Sequence, residues 1–242
     1  MDLRLAWASD PGLERDQNED SVYVAQDVGK LDAVLLVADG MGGHQAGQVA
    51  SRLVVKTVAE ELEGNGEMSS DHLKEVLAKA NTAVYESAHA RSENAGMGST
   101  LVLVAIRGDR LAVLNVGDSP AYLFRAGEVT ELHQNHSWPS EQARAGIIKQ
   151  EEVASHPMKH RLARAVGVWD HVKAYTAEIG LEVGDLVVLC SDGVEEAGVT
   201  VAELHDALSE DDLQDAVENV IELCRERGAP DNVSLAVVRV DE

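Results

Sequence analysis

Short apolar runs that end in an acidic residue recur along this chain, and they constrain its fold more than any other feature. The runs VLLVADG (34–40) and LVVLCSDG (186–193) both end in Asp-Gly, and LNVGDS (114–119) is a related form. Each run has the length and composition of a buried strand. Asp231 precedes a last apolar run, and Asp20 precedes SVYV. Acidic side chains are therefore predicted at the ends of at least four core strands.

Strand-like and helix-like segments are grouped along the chain rather than alternating. Apolar residues at the helical period predict helices at 46–63, 71–92, 200–208 and 211–227. Strand patterns cover 3–9, 21–25, 33–38, 99–106, 110–117, 121–132, 172–179, 185–190 and 233–240. Regular alternation would be typical of a doubly wound parallel sheet. The grouping favours two antiparallel sheets with helices outside.

The size and composition predict one domain over 1–242. The chain has 242 residues, of which 45% are hydrophobic, which suits a single substantial core. Residues 134–160 are polar and rich in histidine, with helix-like pieces at 139–146 and 150–155. They are predicted to form a surface excursion, called the flap below.

The charge of the chain disfavours two classes of partner. There are 43 Asp and Glu against 20 Lys and Arg, for a formal charge of −23. Nucleic acids and anionic membranes both attract proteins of the opposite sign, so neither is expected as a partner. The N-terminal segment lacks the pattern of a signal peptide, and no apolar run approaches the ~20 residues that span a bilayer. A cytoplasmic location is expected, with Cys190 and Cys224 as buried thiols.

The strand-end acids predict a site for hard divalent cations. Two like charges ~4 Å apart repel by roughly 4 kcal/mol at an effective dielectric near 20. Arg15 is the only basic residue close to these motifs. Carboxylates and backbone carbonyls without clustered Cys or His are the ligands that Mg²⁺ and Mn²⁺ prefer. Convergence of the strand ends would therefore place such ions between them.

Other readings of the same motifs fit less well. The glycines after Asp39 match neither the dinucleotide-binding fingerprint nor the P-loop, since Gln45 and Gln48-Val49 stand at required positions. A serine-hydrolase elbow at Ser119 would need glycine where the chain has Ala121. Both alternatives are disfavoured.

Six motifs in order carry a resemblance to a known family. They are DPGLERDQNEDS (10–21), VADGMGGHQAGQVAS (37–51), GSTLVLVAI (98–106), LNVGDSPAYLFRAGEV (114–129), LCSDGVEE (189–196) and APDNVSLAVV (229–238). Together they resemble the metal-dependent serine/threonine protein phosphatases of type 2C, the PPM family, in their short bacterial form. The resemblance covers essentially the whole chain.

The resemblance implies a fold and a set of site residues. The fold would be α+β, a four-layer α/β/β/α sandwich of two antiparallel sheets flanked by helix pairs. Asp39 would bridge two Mn²⁺ or Mg²⁺ ions, and Asp192 would be a catalytic ligand beside it. The implied metal set is Asp20, Asp39, Gly40, Asp118, Asp192 and Asp231, with Glu19 a further candidate. Within it, Asp118 and Asp192 would hold a third ion.

The implied reaction is hydrolysis of phosphoserine and phosphothreonine in proteins by water that a dinuclear metal centre activates. Arg15 would bind the substrate phosphate through its planar guanidinium. The partners would be phosphorylated proteins, including a Ser/Thr kinase and its substrates. Two matters stay open. The proton donor is either His44 or a metal-bound water, and a degenerate phosphatase that only binds phosphoproteins is the alternative function.

Overall fold

The computed structural model describes residues 1–43 and 45–242. The strands in this part of the chain are β1 Asp2–Asp10, β2 Asp20–Val28, β3 Leu31–Met41, β4 Gly98–Ser99, β5 Leu101–Arg107, β6 Arg110–Val116, β7 Ala121–Arg125, β8 Glu128–Glu131, β9 Tyr175–Gly180, β10 Leu186–Cys190 and β11 Val233–Asp241. The α-helices are α1 Ala46–Asn65, α2 Ser70–Ala90, α3 Trp138–Arg144, α4 Gly193–Glu196, α5 Val201–Ala207 and α6 Leu213–Glu226.

The strands form two antiparallel sheets. The first has the order β1-β11-β10-β7-β8, so the first strand pairs with the last. The second has the order β2-β3-β5-β6-β9, and the short β4 pairs with the end of β3. Every strand pair among the described residues is antiparallel, including β3 with β5 and β10 with β11, which helices connect along the chain.

Three apolar clusters define the four layers. One lies between the second sheet and the pair α1 and α2, where Val54, Val58 and Leu62 are fully buried. Another lies between the first sheet and α5 and α6. The third fills the space between the sheets and is built from the opposite faces of the same strands. The predicted α/β/β/α sandwich is confirmed, because the apolar residues of the central strands β3, β5 and β6 face the inner and an outer core alternately.

Strand register brings the acidic strand ends to one end of the sandwich. In the second sheet, Asp20 at the start of β2 lies directly opposite Asp39 near the end of β3. In the first sheet, Asp192 follows the end of β10 and Asp231 precedes the start of its antiparallel neighbour β11. An antiparallel pair places the end of one strand beside the start of the next, so both sheets contribute acids to the same edge.

The structure departs from the predicted elements at three places. The predicted strand 99–106 is interrupted at Thr100, because the backbone N–H of Thr100 donates to the carbonyl of Asp39 at 2.8 Å instead of continuing one ladder. The helix-like piece at 150–155 is a single 3₁₀ turn over Gln150–Glu152. Helix α4 was not predicted, since its four residues are too few for a helical period. Within the described residues, none of the helices has the length and hydropathy to cross a bilayer.

Candidate active site

A cleft of about 480 Å³ lies where the strand ends meet. Its lining includes six of the predicted site residues, namely Arg15, Asp39, Gly40, Asp118, Asp192 and Asp231. Glu19 also lines it, whereas Asp20 is buried and does not. A larger groove of about 1190 Å³ lies between α1 and α2 and adjoins this cleft. Arg15 and Glu19 line both, but none of the strand-end aspartates lines the larger groove. The smaller cleft is therefore the candidate site.

Burial and mutual repulsion raise the pKa values of the clustered acids. The pKa of Asp39 lies well above its usual range, first because the carboxyl is buried and then because Asp20, Asp192 and Asp118 are close. The pKa of Asp192 is raised in the same way, by burial and then by Asp118 and Glu196. Burial raises the pKa of Asp20 and of Asp118 to about 6. The fold thus holds several carboxylates in a place that disfavours their charge.

The donor atoms present fit divalent cations. Both carboxylate oxygens of Asp20 are buried without a hydrogen-bond partner. The hydroxyls of Ser191 and Ser234 lower its pKa somewhat, although neither makes a hydrogen bond of normal geometry to it. Unpartnered buried carboxylates are costly unless a cation or a proton neutralises them. A set of carboxylates with the Gly40 carbonyl at their edge is the hard-oxygen chemistry that Mg²⁺ and Mn²⁺ take.

The raised pKa values predict that the chelated, metal-free protein becomes more stable as the pH falls from 7.5 to 5. An acid whose folded-state pKa is raised stabilises the fold below its unfolded pKa, and that stability is lost as pH rises through the folded value, here about 6 for Asp20 and Asp118. We therefore expect the Tm of the chelated protein to rise by at least about 2–4 °C between pH 7.5 and pH 5, the shift that about 1 kcal/mol gives at this size. Glu203, whose pKa is lowered to about 2, titrates below this window. Burial lowers the pKa of His136 to about 3, so its unfolded form takes up a proton within the window and offsets part of the gain from the four acids.

Differential scanning calorimetry in a chelating buffer measures this dependence. Saturating Mn²⁺ should flatten it, since a bound cation stabilises the charged carboxylates. A Tm of the chelated protein that falls steadily from pH 7.5 to pH 5 would contradict the prediction.

Glycine is required where each Asp-Gly pair meets a neighbouring backbone. A Cβ on Gly40 would lie 2.0 Å from the carbonyl oxygen of Gly47 and 2.6 Å from that of Glu19. A Cβ on Gly193 would lie 1.9 Å from the carbonyl oxygen of Asn232. Both distances are far below van der Waals contact, so close backbone approach explains the glycine after each acid.

Arg15 points to the cleft and contacts a predicted metal ligand. Its Nη2 donates to Asp231 Oδ2 at 2.6 Å, and its side chain is about half exposed, at 52%. Neither of its acidic neighbours in the sequence, Glu14 and Asp16, forms a salt bridge with it. The guanidinium therefore lies at the rim of the cleft with free N–H groups facing solvent.

Asn232 is a positioning residue that the sequence did not single out. Its Nδ2 donates to the carbonyls of Pro11 and Gln17 at 2.8 and 2.9 Å, and its Oδ1 accepts from the backbone N–H of Glu19 at 2.8 Å. These bonds fix the loop that carries Arg15. The sequence offered one indication of this role, an asparagine in a turn directly after Asp231, and asparagine is too common in turns for that to single it out.

We expect Asn232→Ala to destabilise the fold by about 2–3 kcal/mol, because three backbone groups lose their partner. The variant should also lower kcat/KM, since the Arg15 loop is no longer held. Thermal unfolding and steady-state kinetics measure the two effects. Asn219→Ala, at an exposed position on α6, is the matched control. Equal Tm values for Asn232→Ala and the unaltered chain would rule out this role.

Thr100 and Ser119 form a buried hydrogen-bonded pair that holds the backbone of Asp39. The backbone N–H of Asp39 donates to Thr100 Oγ1 at 2.9 Å, and the hydroxyls of Thr100 and Ser119 are 2.6 Å apart. Ser119 is fully buried, and no histidine of the part of the chain that the structure describes hydrogen-bonds to it. Its contacts fit a supporting role for the loop before Asp118 and give no support to the disfavoured hydrolase reading. His44, the other candidate proton donor, lies outside the described residues.

Two stacked antiparallel sheets with an acid-lined cleft at one end are the arrangement that the resemblance to the serine/threonine protein phosphatases implied. The family model described as "Protein phosphatase 2C" matches residues 14–236. The chain belongs to the protein phosphatase 2C family.

Relatives and solved structures agree with this family. The chain is 34% identical to the serine/threonine protein phosphatase PstP of Mycobacterium tuberculosis over 98% of its own length, and it spans 45% of that relative. A serine/threonine phosphatase of S. agalactiae has a TM-score of 0.90 at 30% identity, with 99% of this chain and 100% of that chain covered. The catalytic domain of PstP, solved in complex with two manganese ions, has a TM-score of 0.85 at 33% identity, with 99% of each chain covered.

Proposed function

We propose that this chain is a metal-dependent phosphatase that hydrolyses phosphoserine and phosphothreonine in proteins. The observation that carries the proposal is the convergence of buried aspartates from both sheets beside an exposed arginine at the rim of one cleft. Residues 1–242 act as one catalytic domain with the flap at 134–160.

In this proposal the strand-end acids hold two divalent cations. Asp39, Asp192, Asp231 and the carbonyl of Gly40 would hold these ions. Asp20, with Glu19, would contribute through water. Asp118 and Asp192 offer a third position. When bound, Mn²⁺ or Mg²⁺ would neutralise the site and acidify water for attack on phosphorus.

The charge of the cleft supports a requirement for cations. A phosphate ester is an anion, and the lining of the cleft includes six carboxylates but one arginine, so the cleft and the ester repel each other. Arg15 is the cleft residue with an always-charged planar fork, and it would orient two phosphate oxygens. The buried carboxyls of Asp39 and Asp192 keep the ion positions fixed because both sheets hold their backbones. The proton for the leaving alkoxide would come from His44 or from water at the cations.

The partners in this proposal are phosphorylated proteins, among them a Ser/Thr kinase and its substrates, in the cytoplasm. Such partners fit a signalling role, and neither nucleic acid nor a membrane surface is expected to bind a chain of this charge.

Hydrolysis of a phosphothreonine peptide by the purified chain, with Mn²⁺, Mg²⁺ or a chelator, tests the proposal. We expect phosphate release with either metal and none after chelation. Turnover that persists after exhaustive chelation would overturn metal dependence. Tight peptide binding without turnover in saturating Mn²⁺ would favour the alternative, a degenerate phosphatase that serves as a phosphoprotein-binding module.

A further inference from the structure

Asn81 is a buried polar side chain on α2 that bonds to a distant part of the chain. It is 1% exposed, and both of its hydrogen bonds go to the backbone of residues 166–169, called the 166–169 segment below. Its Oδ1 accepts from the N–H of Gly167 at 2.8 Å, and its Nδ2 donates to the carbonyl of Trp169 at 2.9 Å. Losing either bond would leave a buried polar group unpaired, so the side chain holds the segment firmly.

The 166–169 segment packs directly against α2. Gly167 has a φ of +84°, and a Cβ on it would lie 2.1 Å from Cγ1 of Val84. Because Asn81 and Val84 are three positions apart in the helix, their side chains lie on the same face. That face therefore holds the segment both by hydrogen bonds and by close packing, and the close packing requires glycine.

The same segment pairs with β4, the two-residue strand beside the predicted metal site. Ser99 and Val166 form an isolated antiparallel bridge, in which the N–H of Ser99 donates at 3.0 Å and the N–H of Val166 donates back at 2.8 Å. A Cβ on Gly98 would lie 2.7 Å from Cε of Met41 and 2.7 Å from Cγ2 of Val168. Strand β4 is therefore held between the 166–169 segment and the end of β3.

Strand β4 in turn fixes the backbone of Asp39 and Gly40. Ser99 lies opposite Gly40 in the antiparallel pairing of β4 with β3. The next residue, Thr100, donates its backbone N–H to the carbonyl of Asp39 at 2.8 Å. The hydroxyl of Ser99 lies 3.0 Å from that carbonyl oxygen and 2.7 Å from that of Thr100, and its one proton can be donated to either. A displacement of β4 would therefore move two of the groups that are proposed to hold the cations.

We propose that Asn81 is a positioning residue for the metal site. It holds the 166–169 segment, the segment holds β4, and β4 keeps Asp39 and the carbonyl of Gly40 in place at the cleft. Asn81 itself does not line the cleft. The inference rests on the metal-dependent function proposed above. Residues that orient metal ligands without touching the ion typically change metal affinity by about 10–100-fold when they are removed.

Calorimetric titration with Mn²⁺ tests this role without turnover. We expect Asn81→Ala to bind Mn²⁺ at least about tenfold more weakly than the unaltered chain, because the backbone at the cations is no longer fixed. Asn94→Ala is the matched control, since Asn94 is also buried but its Nδ2 donates to Oγ of Ser87 on α2, at 3.0 Å. The control should lose stability in thermal unfolding and yet bind Mn²⁺ as the unaltered chain does.

The kinetics of phosphopeptide hydrolysis give a second readout. The Mn²⁺ concentration for half-maximal rate should rise in Asn81→Ala together with the Kd. In saturating Mn²⁺ the KM for a phosphothreonine peptide should stay unchanged, because Asn232 and not Asn81 holds the loop of Arg15. A rise in peptide KM with an unaltered Mn²⁺ dependence would contradict the role.

A milder variant keeps the test decisive if Asn81→Ala does not fold. The hydroxyl of Asn81→Ser is too short to reach the 166–169 segment but leaves room for a water, so it should show the same weaker Mn²⁺ binding. Unchanged Mn²⁺ affinity in the folded variant, or an equal loss in Asn94→Ala, would overturn the positioning role. Failure of the unaltered chain to bind Mn²⁺ would overturn the proposed function as well, which separates the two outcomes.

Discussion

Asp39→Asn is expected to lower kcat/KM towards a phosphopeptide by at least about 10³-fold, since Lewis-acid stabilisation amounts to several kcal/mol. Burial raises the pKa of Asp39 first, and the charges of four neighbouring carboxylates raise it further, so Asp39 lies at the centre of the cluster; the four are Asp20, Asp192, Asp118 and Asp231. A neutral amide oxygen is a weaker ligand than a carboxylate and cannot bridge two cations with two charged oxygens. Steady-state kinetics in saturating Mn²⁺ measures the loss.

Unfolding would not account for that loss. Removing one repelled, buried charge should leave the chelated Asp39→Asn protein at least as stable as the unaltered chain, and thermal unfolding checks this. Asp206→Asn is the matched control because Asp206 lies far from the cleft on α5 with a side chain that is 86% exposed. A kcat/KM for Asp39→Asn within tenfold of the control would remove Asp39 from the centre of the mechanism.

Arg15→Ala is expected to lower kcat/KM by about 10²-fold or more, because two charge-assisted hydrogen bonds to phosphate contribute about 1.5–3 kcal/mol each. Arg15→Lys should recover little of the loss, since an ammonium group lacks the planar fork that spans two phosphate oxygens. The effect should be similar for a phosphopeptide and for an aryl phosphate, which share only the phosphate group.

The unfolding free energy of Arg15→Ala distinguishes phosphate binding by Arg15 from a purely structural role. The Arg15–Asp231 ion pair is partly exposed, so its loss should cost less than about 1 kcal/mol of unfolding free energy. Arg91→Ala removes an exposed arginine from the adjoining groove and is the control. If Arg15→Ala and Arg91→Ala had equal kcat/KM values, Arg15 would not bind the phosphate.

The layer architecture was predictable from the sequence because the spacing of apolar residues along each helix and strand indicates which of its faces is buried. Strands β3 and β10 are almost wholly apolar, which fits their buried positions, and the acids that follow them were visible as motifs. That Asp39 and Asp192 lie close together was predictable because each follows the end of an apolar strand and because the family resemblance places both in one metal site. Periodicity also predicted α1 and α6 to within a few residues.

Contacts between distant segments were not predictable from local pattern. Asn232 bonds to a loop that lies more than two hundred positions away in the sequence, and Thr100 leaves its ladder to bond Asp39. His160 meets Glu196 only because the flap folds back over α4. Each of these contacts depends on which surfaces meet in space, and the residue types themselves are common in loops.

The pairing of β1 with β11 has a consequence for synthesis of the protein. During translation β1 emerges more than two hundred residues before β11, which is its partner in the first sheet. Asp231 and Asn232 directly precede β11, so a nascent chain that has not yet reached them can neither hold the Arg15 loop nor complete the acidic cluster. Nascent chains are therefore expected to stay catalytically silent until β11 has emerged, with an unpaired β1 edge that chaperones must shield in the interval.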